Sequence, residues 1–392
     1  MKERANIAGR RRISGLLSVF VLVALIAGCG GKGGTGEYRV GVVISLSGNN
    51  SPLGESEKRS LDLLLEKVNK SGGIRGRKIR FIYRDDQSEP SRANIAAGRL
   101  VRDYQVIGLI GGSSSGSTFA IKNVIEKMEI PTISMAARTD ITEPPKKWLF
   151  SVAPSDGLVI EKTLIYIRDE MKITRIAVLH DSNAYGTGGA DEVKDRASNY
   201  GIKIVAEESY GTLDPDMTAQ LEKIVRASPE ALLVWGTNPG PSIIAMNMRQ
   251  LGMDIPLICS SGIASRAFIE SAGEAAEGVV FAASRLLLPE TIPHGSKWAK
   301  AVEAFRKDYN EKYHQDIDTF AAHGWDSGSI FVKALGSAGD ERERVRSSIE
   351  SLRNYPGIDG LFSYSPTDHA GLELDALVMV KIENGRWVQA SP

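Results

Sequence analysis

Two hydrophobic patterns alternate along this chain: short β-branched runs, and segments whose apolar residues fall three and four apart. The first pattern predicts strands 38–46, 78–83, 106–110 and 132–135. The second predicts helices 57–69, built on Leu61, Leu64, Leu65 and Val68, and 91–103, with another after residue 116 built on Phe119, Ile121, Val124, Ile125 and Met128. From about residue 156 the rhythm restarts, with helices 158–171, 190–200, 217–227 and 242–251 between strands 175–180, 203–208, 231–235 and 256–260. Strands that alternate with helices imply parallel sheets with right-handed crossovers, whose ligands bind at the carboxyl ends of the strands. The last third reads as helices 296–313, 320–335 and 341–352, then a hairpin of strands 376–382 and 387–389 around Glu383-Asn384-Gly385.

The stretch 106–130, VIGLIGGSSSGSTFAIKNVIEKMEI, organises the rest: a buried strand, six small residues, then a helix with Ser117 and Thr118 at its start. At such a junction the first helical N–H groups lack partners and carry partial positive charge, so a carboxylate can dock there. Three readings compete. A phosphate loop needs a Gly-Lys-Ser/Thr ending, and no Lys precedes Lys122. Gly112, Ser114 and Gly116 satisfy G-x-S-x-G, the nucleophile elbow of hydrolases. A small-residue loop can also serve tight packing alone. Ligand capture is the favoured reading. The equivalent loops, 46–54, 111–117 and 136–139 in one half and 181–188, 236–241 and 260–265 in the other, would face each other across a cleft.

Residues 1–28 read as a secretory signal peptide, with Arg4, Arg10, Arg11 and Arg12 ahead of an apolar run too short to span a bilayer comfortably. Ile26-Ala27-Gly28-Cys29 resembles a bacterial lipobox, which would make Cys29 the lipidated N-terminus and 29–36 a flexible tether. Removing Lys2, four Arg and Glu3 takes the net charge from 0 to about −4, which disfavours a nucleic-acid partner. Cys259 would then be the single free thiol, excluding an internal disulfide. His180, His294, His314, His323 and His369 show no metal-ligand spacing, and Asp85-Asp86 reads as a turn and helix cap, so neither metal nor cofactor is expected.

VGVVISLSG at 40–48, NKSGGIRGRKI at 69–79, RDDQSEP at 84–90, IPTISMAAR at 130–138, HDSNAYG at 180–186 and GEAAEGVV at 273–280 together resemble one family. It is that of the extracytoplasmic solute-binding proteins of branched-chain amino-acid ABC transporters, the leucine/isoleucine/valine-binding type. The resemblance covers nearly all of the chain after the tether. It implies an α/β fold of two Rossmann-like doubly wound lobes joined by three hinge crossovers, the type I periplasmic binding protein or Venus flytrap. Lobe 1 would comprise 37–156 and 286–368, and lobe 2 would comprise 157–285 and 369–392. It also implies a monomer, a cognate ABC permease as partner, and contact with the membrane only through the lipid anchor.

Carried over by position, Ser115 with its neighbour Ser114 would hold the ligand carboxylate, helped by backbone at Ala136 and Ala137, while Tyr185 would close over the head group. Three departures stand out: Arg138 replaces a Thr, Ser261 replaces a Glu that pairs with the α-ammonium, and Leu53 replaces an aromatic lid residue. Losing an acid and gaining a guanidinium suits an acid without an ammonium. The expected ligand is therefore a small carboxylate, aromatic or branched aliphatic, held by Arg138 and the Ser115 loop and touched by Tyr185, Thr237 and Trp235 or Trp325. The alternative has Arg138 pointing to solvent or pairing with a neighbouring acid. A binding protein is expected rather than an enzyme; the competing readings are a lipid-anchored serine hydrolase using Ser114 and a ligand-sensing module.

Overall fold

The computed structural model describes residues 36–390; the leader, Cys29 and all but the end of the tether lie outside the described residues. The first sheet holds β1 (Tyr38–Ile44), β2 (Ile79–Asp85), β3 (Gly108–Ile110), β4 (Thr132–Ser134) and β5 (Leu149–Ser151), all parallel, in the order β2-β1-β3-β4-β5. Its connecting helices are α1 (Ser51–Lys70), α2 (Pro90–Arg102) and α3 (Ser115–Lys127). Alternation along β1 sends Val42 and Ile44 into one core and Val43 into another, because consecutive side chains leave opposite faces and helices cover both.

The second sheet is built the same way. Helix α4 (Asp156–Asp169) crosses to it, and β6 (Arg175–Asp181), α5 (Ala184–Ala197), β7 (Lys203–Tyr210), α6 (Thr218–Arg226), β8 (Ala231–Trp235), α7 (Gly240–Gln250), β9 (Leu257–Cys259), α8 (Arg266–Ala272) and β10 (Val280–Ser284) follow. The chain then returns to the first lobe as α9 (Lys297–Tyr313), α10 (Thr319–Ala338), α11 (Arg342–Glu350) and the short pair β11 (Tyr355–Pro356) and β12 (Leu361–Phe362). A third crossing delivers β13 (Leu377–Glu383) and β14 (Arg386–Gln389), which add antiparallel to β10 and complete the order β14-β13-β10-β9-β8-β6-β7. These are the two doubly wound lobes that the strand and helix rhythm implied, joined by the three crossovers that the family resemblance implied.

Two helices start earlier than apolar spacing indicates. α1 begins at Ser51, with Pro52 in its first turn, and α5 begins at Ala184, where the Asn183 side chain accepts the Gly186 N–H at 2.9 Å. Their first turns face the cleft, where Leu53 and Tyr185 line the cavity and small or polar residues fill the remaining positions, so apolar periodicity does not register them. The caps do.

α10 lies so close to α1 that a Cβ on Gly324 would sit 2.3 Å from the Glu57 carbonyl oxygen. The absence of a side chain there sets the distance between the two helices. Gly324→Ala is expected to lower stability by about 2 kcal/mol, read as a lower midpoint in thermal denaturation, whereas the same change at Gly336, which meets nothing within 4 Å, leaves the midpoint unchanged or raises it.

Candidate functional site

In each sheet the strand order reverses once, between β1 and β3 in the first lobe and between β6 and β8 in the second. Loops leaving the carboxyl ends of such neighbouring strands diverge and open a crevice. The four loops meet around a cavity of about 570 Å³, lined from the first lobe by Asn49, Asn50, Leu53, Ser113 to Gly116 and Met135 to Ala137. The second lobe contributes Asn183 to Tyr185, Gly211 to Asp214, Thr237, Ser261 and Gly262. Pro154, Ser284 and Leu377 reach it from the crossovers, and Thr319, Phe320 and His323 from α10.

The Gly/Ser loop enters α3 one turn earlier than expected. Ser114, not Ser117, is the N-cap, and its Oγ accepts the Ser117 N–H at 3.2 Å. The N–H groups of Ser115 and Gly116 thus occupy the first helical positions, which have no acceptor in their own helix. Ser115 Oγ is buried and bonds to nothing among the described residues. Below the loop, Ser113 Oγ accepts the Ser45 N–H at 3.2 Å and donates to Glu57 Oε2 at 2.5 Å. Asp85 and Asp86 cap the following turn as expected, accepting the Gln87 and Ser88 N–H groups, and Asp86 also takes hydrogen bonds from Ser45 Oγ and Ser117 Oγ, each at 2.7 Å, so it braces the Gly/Ser loop as well. Burial pushes the Glu57 carboxyl up to about 8, against the Ser113 bond that lowers it, with Asp86 and Asp318 adding to the rise. At neutral pH Glu57 is therefore uncharged, and the loop above it keeps the positive potential of its amides.

Leu53, Ser114, Ser115, Ala136, Ala137, Tyr185, Thr237 and Ser261 all line the cavity. Arg138 does not. Its guanidinium grips Asp140 through Nε at 2.8 Å and Nη2 at 2.6 Å, lies over the Phe119 ring, and donates Nη1 to the Ala184 carbonyl at 2.8 Å. The expectation that Arg138 holds the ligand acid gives way to a nearer carboxylate two residues on, and the same side chain bonds one lobe to the other. Trp325 also lies away from the cavity wall, packed on Phe305 with ring centroids 4.7 Å apart. Trp235 is fully buried beneath Tyr185. His369 stacks on Phe150 rather than reaching the cleft.

Several lining groups escaped the sequence reading. Asp214 is the one carboxylate on the wall among the described residues, and it accepts the Gly211 N–H at 2.7 Å. Thr319 Oγ1, both ring nitrogens of His323 and the Tyr185 hydroxyl are buried without hydrogen-bond partners among the described residues. Among the described residues no Lys or Arg lines the cavity, so the donors they offer an anion there are amides and hydroxyls. Ser114 Oγ is engaged with Ser117 and makes no hydrogen bond to an imidazole among the described residues, so the nucleophile–base pair of a serine hydrolase is not formed there. Among the described residues no group of three or more His, Cys, Asp or Glu could hold a metal ion.

A family model described as periplasmic binding protein matches residues 37–386. The leucine/isoleucine/valine-binding protein homolog 1 of Brucella suis is 29% identical over 373 residues, 94% of this chain and 96% of that one. An extracellular ligand-binding receptor from Rhodopseudomonas palustris superposes with TM-score 0.84 at 24% identity, covering 90% of this chain and 99% of the other. The branched-chain amino-acid substrate-binding protein LivJ of Streptococcus pneumoniae, solved with isoleucine, gives TM-score 0.79 at 23% identity over 90% and 97% of the two chains.

Between pH 4.5 and about 8 the native state keeps a proton on Glu57 that the unfolded chain has released. This contribution to stability is complete below the unfolded value and is lost as pH rises through the folded one. Glu57→Gln, which stays neutral, is expected to gain stability over the native protein by a few kcal/mol, on the order set by the shift, between about pH 5 and about pH 9. Thermal melts of both proteins across that range check it; a constant gap would contradict it.

Proposed function

The chain belongs to the periplasmic binding protein family, and on that premise we propose that it captures a small carboxylate-bearing solute between its lobes and delivers it to a membrane ABC permease. It is an extracytoplasmic solute-binding protein, not an enzyme. The observation that carries the carboxylate is the unpaired, buried Ser115 Oγ beside the open N–H groups at the start of α3. Burying a negative charge is unfavourable without such donors, and among the described residues no Lys or Arg lines the cavity to replace them.

The solute class includes amino acids and related organic or aromatic acids. Asp214 supplies the wall with an anion that an α-ammonium could meet, and the Tyr185 hydroxyl is free to bond a head group. With Arg138 turned to Asp140, nothing in the cavity's charge restricts the ligand to acids that lack an ammonium. The Brucella relative's name points to branched-chain amino acids and supports the same class. A lipid anchor at Cys29 would keep the protein at the membrane beside its permease, acting as a monomer.

Closure follows from bonds made across the cleft. Arg138 to Ala184, and Thr139 Oγ1 to Glu192 Oε2 at 2.7 Å, already join the lobes. A solute that bonds Ser115 on one side and Tyr185 on the other adds to them and stabilises the closed form, which the permease then reads.

Isothermal titration with leucine, its keto acid and an aromatic acid tests this reading. Ser115→Ala is expected to weaken the acids that bind by about 2 kcal/mol, roughly thirtyfold. Retained affinity in that variant, or equal affinity for the amide of the same acid, would overturn it.

A further inference from the structure

Resting on the carboxylate reading above, we propose that Thr319 and His323 form a second polar subsite on the hinge floor of the cavity. It hydrogen-bonds an uncharged hydroxyl or carbonyl oxygen of the solute other than its carboxylate. The two residues stand one turn apart on α10 with Phe320 between them, and all three line the cavity. Ser284 and Leu377, at the mouths of two crossovers, line it too. Thr319 is 3% exposed and His323 5%, yet Thr319 Oγ1 and both imidazole nitrogens lack partners. Buried hydrogen-bonding groups left unpaired are costly, and native proteins rarely keep them without a use. Ser284 shows the contrast: its Oγ donates to the Asp359 carbonyl at 3.1 Å and accepts the Leu286 N–H, so it has nothing left to offer.

The chemistry of the surroundings selects the group. His323 Nε2 lies 3.4 Å from Asp359 Oδ2, outside hydrogen-bond geometry, and burial pushes the imidazole down to about 3, so the ring is neutral. A neutral imidazole offers one donor and one acceptor, and a threonine hydroxyl offers both. Behind them stand the buried carboxyls of Asp318, Asp326 and Asp359, all raised by desolvation. A second carboxylate would meet no Lys or Arg among the described lining residues, and the first turn of α10 is already capped by Asp318. Among the described residues a cation would find no carboxylate on the wall at this end: Asp318 takes the Ala321 N–H and the Ser56 hydroxyl, Asp326 takes the N–H groups of Ile358 and Asp359, and the Asp359 carboxyl lies against His323, off the wall. What remains is an uncharged hydrogen-bonding group.

Calorimetric titration of the full protein with two matched pairs, phenylalanine and tyrosine, then phenylpropionate and para-hydroxyphenylpropionate, tests this. The hydroxylated member of a pair is expected to bind about tenfold more tightly. Thr319→Val and His323→Phe should each reduce that preference toward unity without weakening the plain member, while His323→Gln, which keeps a donor and an acceptor, should preserve it. Thermal melts establish that the variants fold, and the isosteric Thr319→Val decides if His323→Phe does not. Equal affinities within the pairs, or a preference untouched by both substitutions, overturn the subsite while leaving the Ser115 reading intact. Failure of every acid to bind overturns both readings. A preference that survives in Ser115→Ala with affinities undiminished overturns the carboxylate assignment alone.

Discussion

Glu57 ties the two ends of the cavity together. Its carboxyl holds Ser113, and through Ser113 the amide of Ser45, so the loop after β3 and the end of β1 are fixed to the first turns of α1. Its backbone is the surface on which Gly324 of α10 rests, which sets the position of His323 one residue away. A protonated acid suits this place, because a carboxylate would oppose any anion above it and would meet Asp86 and Asp318 nearby. The same burial that keeps the proton on Glu57 keeps the anion-receiving loop electropositive and rigid. One helix thus braces both the Gly/Ser loop at the start of α3 and the stretch of α10 that carries His323.

Arg138 shows why residue type alone does not assign a role. A guanidinium in a cleft next to small residues suits carboxylate recognition, but the fork finds Asp140 in the same short turn, where proximity in sequence makes the pair inexpensive to form. Its remaining N–H groups reach the Ala184 carbonyl in the other lobe. The substitution that suggested a changed ligand is accounted for by contact between the lobes. Such a bond contributes to the closed state whether or not solute is present, and so biases the equilibrium on which the solute acts.

The lobes and their strand order were legible because buried parallel strands read as continuous apolar runs and each is followed by a helix of matching period. The Gly/Ser loop was legible for a related reason: six small residues between such elements leave little but backbone to do chemistry. α5 was not. Gly186, Gly188 and Gly189 read as loop, yet Gly189 sits where a Cβ would strike the Trp235 indole at 2.0 Å, and it is helical because tertiary contact requires a small residue there, not because of propensity. His323 escaped as a lone histidine among the apolar residues of a long helix, a pattern that more often marks a satisfied core group. Only its unpaired nitrogens and its place on the cavity wall separate it from that class, and neither is written in the spacing. Asp214 lies in a loop with no periodic signal at all.

Unpaired buried groups at both ends shape selectivity more than strength. The apolar wall between them, with Leu53, Met135 and Phe320, rewards any body of suitable size at a rate that changes little from one hydrocarbon to the next. Ser115 at one end and the Thr319–His323 pair at the other are different in kind, since a solute that cannot reach them leaves each desolvated and unbonded when the lobes close. Closure raises that penalty, because water that satisfies these groups in the open cleft is displaced. On the proposed reading, a solute with the wrong end group would bind weakly and also fail to hold the lobes together, so discrimination and closure would arise from the same hydrogen bonds.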